Sequence, residues 1–128
     1  MKNITIDEKF CTPELYFIAK FPVLIGTDIL LLPLSSIIFI ESDGSYSKIN
    51  SNGNSSLLYT SKSLKYYEER LPAHSFLRVH NKFIVNLHYI KFIRRGSHWK
   101  IELLNKFLLN ISDDKKEMLI KTLGLNYE

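Results

Sequence analysis

The chain is a succession of short apolar runs separated by polar punctuation. Residues 1–13 are mostly polar and unpatterned and read as an N-terminal arm, and residues 14–128 carry the patterned domain. Leu15 to Ala19 is short, apolar and β-prone. Phe21 to Ile25 reads as an edge segment, because Pro22 has no N–H to give a ladder. Gly26-Thr-Asp28 is a turn before a second run, Ile29 to Leu32, closed by Pro33. Ile37-Ile-Phe-Ile40 is β-branched and aromatic, as expected of a buried strand. Asp43-Gly44 then signals a hairpin into Tyr46–Ile49, and Asn52-Gly-Asn-Ser-Ser56 a turn into Leu57–Thr60. Three strands in succession with short loops make a meander.

The period then changes. Leu64, Tyr67 and Leu71 recur at spacings of three and four, Ser61 or Ser63 supplies an N-cap, and Pro72 a stop. This predicts one amphipathic helix packed on the sheet. Strand-like runs resume across Phe76–Asn86, with Phe83-Ile-Val85 at its apolar end, and again at Tyr89–Ile93, His98–Leu104 and Phe107–Ile111. Arg95-Gly96-Ser97 and Leu104-Asn105-Lys106 form hairpin turns. A last helix runs from Ser112, its expected N-cap, through Leu123 to Gly124. The pattern predicts a mainly β fold of about nine strands with two or three short helices.

Composition narrows the function. A chain of 128 residues with 45% hydrophobic content has one domain's worth of core and no room for a receiver or kinase domain beside another full module. The single cysteine, Cys11, excludes an intramolecular disulfide and a cysteine-based metal site. Lys20, Pro22, Thr27-Asp28 and Pro33 interrupt the most apolar region, so no membrane segment is expected and a reducing cytoplasm is the expected location. The net charge of +4 conceals an asymmetry. Residues 60–106 hold ten basic against three acidic residues, a net +7, and the remainder holds seven against ten, a net −3. Concentrated positive charge is the footprint of a polyanion partner.

Catalytic chemistry finds no support. His74, His80, His88 and His98 lack metal-ligand spacing, no Gly-x-Ser-x-Gly elbow is present, and the five glycines build no phosphate loop. No cofactor is implied. The informative stretch is Phe76-Leu-Arg-Val-His-Asn-Lys-Phe-Ile-Val-Asn-Leu87, which traps a polar cluster between two buried strand pieces. Arg and Lys suit phosphate and Asn can bond an adenine edge. The competing reading has Arg78 and His80 satisfying carbonyls and Asn86 capping a turn.

The same residues resemble a known family. Phe76-x-Arg78-Val79-His80-x-x-Phe83-Ile84-Val85-Asn86 is similar to the signature of the LytTR-type DNA-binding domain of bacterial transcription regulators. Ile37-Ile-Phe-Ile-Glu41, Gly44-Ser-Tyr46, the Ser63–Leu71 helix, Asn86 through Ile93 and Ile111-Ser112 fit in order, so the resemblance spans Leu15 to Leu123. It implies an elongated domain of antiparallel sheets without a recognition helix. Its loops would enter successive major grooves of double-stranded promoter DNA, at paired direct repeats, with the DNA bent. The implied partners are that DNA, a second copy as homodimer or side by side, and a regulatory protein in place of a receiver.

Carried onto this chain, the three DNA loops are the Gly44-Ser45 turn, His80-Asn81-Lys82, and Ser112 to Lys116. The resemblance puts Ser45, Asn81 and Asp114 at bases. Lys82, Lys106, Lys115 and Lys116 would neutralise phosphates, Asn110 and Ser112 would bond the backbone, and His80 would orient the Asn81 loop or touch DNA. Two positions depart from the family pattern. Lys82 replaces a usual Ser or Gly, and still favours phosphate. Asp113-Asp114 replaces residues that are often basic. A carboxylate there repels phosphate but accepts from a cytosine amino group. The alternative function is a protein-binding module or anti-activator that has lost strong DNA binding.

Overall fold

Ile37 to Ile40 is a continuous apolar run because both faces of its strand are covered. In the computed structural model, which describes residues 19–53 and 57–125, these four side chains divide between two separate cores. The expected arm over residues 1–13, and the Leu15–Ala19 run apart from Ala19, lie outside the described residues.

Ten strands are found among the described residues, in three antiparallel sheets. Strands β1 (Lys20–Ile25) and β2 (Asp28–Pro33) form a hairpin. The central sheet contains β3 (Ile37–Asp43), β4 (Tyr46–Ser51), β5 (Leu57–Thr60), β6 (Phe76–His80) and β7 (Phe83–Asn86), in the order β5-β4-β3-β7-β6. The third sheet contains β8 (Ile90–Arg94), β9 (Lys100–Leu103) and β10 (Leu108–Asn110). The expected mainly β fold, the meander and the hairpin at Asp43-Gly44 are all present.

The first core joins Phe21, Val23 and Leu34 to Ile37, Ile40, Ile49 and Ile84, with Tyr67 beneath them. The second joins Ile38, Phe39, Val79 and Val85 to Trp99, Ile101, Leu103, Leu109 and Ile111. The hairpin and the three-stranded sheet therefore cover opposite faces of the central sheet. Strict alternation would separate Ile38 from Phe39. A register shift between Ile37 and Phe39 puts both on the second face, as a bulge does. Each such buried side chain contributes roughly 1.5–3 kcal/mol relative to exposure.

The two helices are shorter than their patterns. Helix α1 covers Leu64–Glu68, with the Ser63 side chain accepting from the Tyr66 N–H as its cap. Leu64 and Tyr67 are buried, as the spacing required. The Tyr67 hydroxyl bonds Thr60 Oγ1, and burial pushes its pKa above 10.0. The last helix begins later than expected. Asp113–Lys115 form a 3-10 turn and α2 spans Lys116–Thr122, with Leu119 and Ile120 in the second core.

Candidate nucleic-acid interface

Backbone pairing brings the expected loops together. The β3–β4 turn is Gly44-Ser45, with Asp43 opposite Tyr46 and Gly44 at φ +64°, which glycine adopts without penalty. Glu41 lies opposite Phe83, and the Ser42 N–H donates to the Lys82 carbonyl at 2.9 Å. The β3–β4 and β6–β7 turns therefore emerge at the same end of the central sheet. The Ser112 N–H donates to the Val79 carbonyl at 2.9 Å, which attaches the Ser112–Lys116 stretch beside the last residues of β6. Ser45, Asn81, Lys82, Asp113 and Asp114 are exposed at this end, and His80, Ser112, Lys115 and Lys116 are half-buried.

The β6–β7 tip has internal bracing. Arg78 lies opposite Ile84, on the face that carries α1, and its guanidinium donates to Glu68 Oε1 at 3.0 Å. The same group donates to the Asn81 carbonyl at 2.7 Å and to the His80 carbonyl at 3.4 Å. A register shift between Arg78 and His80 brings the His80 ring beside Phe83, 5.7 Å between centroids. His80 Nδ1 accepts from the Lys82 N–H at 3.1 Å. Asn86 is fully buried, donates to the Ile37 carbonyl at 2.7 Å, and accepts from the His88 N–H at 3.0 Å. Arg78, His80 and Asn86 thus satisfy main-chain groups, and Asn81 and Lys82 project from the turn that they hold.

The third stretch is built differently. Ser112 is not a side-chain cap: its hydroxyl donates to Val79 O at 3.2 Å, joining its own N–H on that carbonyl. The reason is tertiary, since the Val79 carbonyl at the β6 bulge lies within reach of both Ser112 donors. Asp113 bonds Lys116 at 2.9 Å, and this hydrogen bond and charge hold its carboxyl below the ordinary 3.8. The Lys116 ammonium also lies 5.3 Å from the centre of the Trp99 ring.

One expected phosphate residue, Lys106, is placed apart from the tips, and another, Asn110, sits just before the third stretch. Lys106 sits in the β9–β10 turn at φ +73°. That turn is tied by the Leu104 N–H to Tyr89 O, beyond the Asn86 end of β7 and opposite to the Lys82 end. Asn110 ends β10, exposed, paired with Lys100. The sequence pattern did not single out Lys100 or its neighbours Arg94, Arg95 and His98; the register sets Lys100 opposite both Asn110 and Arg94. The Ile111 N–H donates to Trp99 O at 3.2 Å, so the β8–β9 loop flanks the third stretch. The signal available was charge density alone.

Residues 27–124 match the family model described as LytTr DNA-binding domain. The fold is similar to that of the LytTr DNA-binding domain of a protein described as a methyl-accepting/DNA response regulator from Bacillus cereus. The TM-score is 0.70 at 24% identity, over 84% of this chain and 98% of that one. Over 79 residues the chain is 29% identical to the CO-responsive transcriptional regulator RcoM of Rhodospirillum rubrum, covering 62% of this chain. The chain spans about a third of the length of that relative.

Proposed function

The chain belongs to the LytTR DNA-binding domain family, and from that premise we propose that it binds promoter DNA sequence-specifically as a transcription regulator. One observation supports this most: three turns remote in sequence emerge at one end of the central sheet, held there by the Ser42–Lys82 and Ser112–Val79 hydrogen bonds. A B-DNA major groove is about 12 Å wide and admits a two-stranded hairpin tip. Asn81, on the braced β6–β7 turn, reads a base edge, and Ser45 and Asp114 meet the bases on either side. Lys82 and Lys115 neutralise phosphates. His80 acts through the turn that it shapes. Copies bind side by side on direct repeats, each placing its tips in successive major grooves.

A second reading has one specific observation behind it. The Ser112–Lys116 stretch contains two acids and two bases, so it offers no net positive charge to DNA. In that reading the same end of the sheet binds a protein, as in an anti-activator. Selection from a random duplex pool, followed by electrophoretic shift at two salt concentrations, decides between them. Recovery of a common sequence whose binding falls steeply with salt is the expected result. No enriched sequence and no shift at low salt would leave the protein-binding module standing.

No helix among the described residues is long and apolar enough to cross a membrane.

A further inference from the structure

We propose that the β8–β9 hairpin, through Arg95 and Lys100, is a fourth contact to the DNA phosphate backbone, flanking the segment that the three tips read. The proposal rests on the DNA-binding reading above and adds to it a surface outside the three turns.

The first observation is placement. Lys100 opposes Asn110, and the Ile111 N–H donates to the Trp99 carbonyl, so the chain entering β9 runs alongside the residues that lead into Ser112. His98 is also close enough to act electrostatically on Asp113. The hairpin therefore borders the third stretch at the same end of the molecule. The second is the arrangement of charge. Arg94 and Lys100 are directly opposite across β8 and β9, and both are exposed. With Asn110 they form a row across all three strands on the outward face. Like charges directly opposite in an antiparallel pair destabilise a sheet. Arg94 is partly compensated by Glu102, at 3.1 Å, and stacks 4.0 Å above Phe92. Lys100 and Arg95 make no ion pair among the described residues. A local arrangement that opposes folding and is only partly compensated fits a site with another use, and a phosphate held between these cations would reverse the repulsion.

The third observation is the deficit next door. Lys116 is engaged by Asp113 and the stretch from Ser112 to Lys116 carries no net charge, so phosphate binding there rests on Lys115 alone. Residues 91–101 contain Lys91, Arg94, Arg95 and Lys100 and no acid. The adjacent hairpin supplies the charge that the third stretch lacks. The partner is double-stranded DNA extending past the base-read segment on that side.

The test compares the wild-type domain with the double variant Arg95→Gln/Lys100→Gln on a pool-selected duplex carrying long flanks. Each lost phosphate contact lowers the salt slope by about 0.9, so the variant should bind with a slope shallower by about 1.8 and an affinity reduced roughly tenfold or more at low salt. Hydroxyl-radical protection should disappear from the backbone on one flank and persist at the core. Trimming that flank should remove the difference between the two proteins. Lys100→Glu is the companion variant. It converts the opposed like charges into an attractive pair, so its melting temperature should rise while its DNA affinity falls. If the wild type binds and both variants keep its slope and footprint, the fourth contact is wrong and the three-tip reading stands. If the wild type shifts no duplex, the DNA-binding reading itself falls, and this proposal with it.

Discussion

The β6–β7 tip and the Ser112–Lys116 stretch lie side by side, yet they present their charges in opposite ways. At the tip, one cation works inward: Arg78 holds Glu68 and two turn carbonyls. That leaves the exposed Lys82 with no ion pair among the described residues. In the neighbouring stretch, Asp113 takes Lys116 and the charges balance. A count of charged residues in a loop therefore says little about the charge that loop offers a partner. What decides is whether a fixed internal acceptor lies within reach of each cation.

Removing the Arg78 brace should have the largest effect. Arg78→Ala should lose about 1–3 kcal/mol of stability in urea titration, because charge-assisted bonds to a half-buried group are removed. It should weaken binding to every DNA sequence, since the turn carrying Asn81 loses its shape. Unchanged binding would mean the tip needs no brace. Asn81→Ala comes next, with about 1–3 kcal/mol lost on the selected sequence and relaxed preference at one base position. Equal loss on random duplex would remove Asn81 from base reading.

Lys82→Ala should act uniformly. Competition binding would show unchanged preference, with a salt slope shallower by about 0.9. Asp113→Asn should have the smallest effect, in the opposite direction. It releases Lys116 and removes a negative charge, so the slope of the salt plot steepens and low-salt affinity rises slightly. The pH dependence has a definite sign. The Asp113 pKa is lowered in the folded state. Its stabilising share is complete above the ordinary 3.8 and is lost as the pH falls through the lowered value. Thermal melts of wild type and Asp113→Asn should differ at neutral pH and converge in strong acid.

Much of the fold is legible in the sequence because its signals are local. Asp43-Gly44 signals a hairpin wherever the strands go, here with Gly44-Ser45 as the two turn residues, and Ser63 three residues before Tyr66 encodes a cap. Ile37-Ile-Phe-Ile encodes a strand covered on both faces. The helix ends were less legible. Ser112 had the composition of an N-cap, but a competing carbonyl on β6, 33 residues earlier, takes its hydroxyl. Asn86 is a motif residue whose structural role depends on a partner, the Ile37 carbonyl, 49 residues away in sequence.

By itself, then, the sequence determined the mainly β class, the order of hairpins, and a polar Asn81-Lys82 turn inside an apolar frame. These follow from turn chemistry and short-range periodicity. Which charges face outward is set by long-range pairing. The bulges at Ile37/Phe39 and Arg78/His80 shift side chains between faces. The pairing of β8 with β9 sets Arg94 against Lys100, and the end-to-end sense of β7 separates Lys106 from the tips. A two-residue period fixes faces within one strand. It does not specify the partner strand or the register, and those set where each charge meets another.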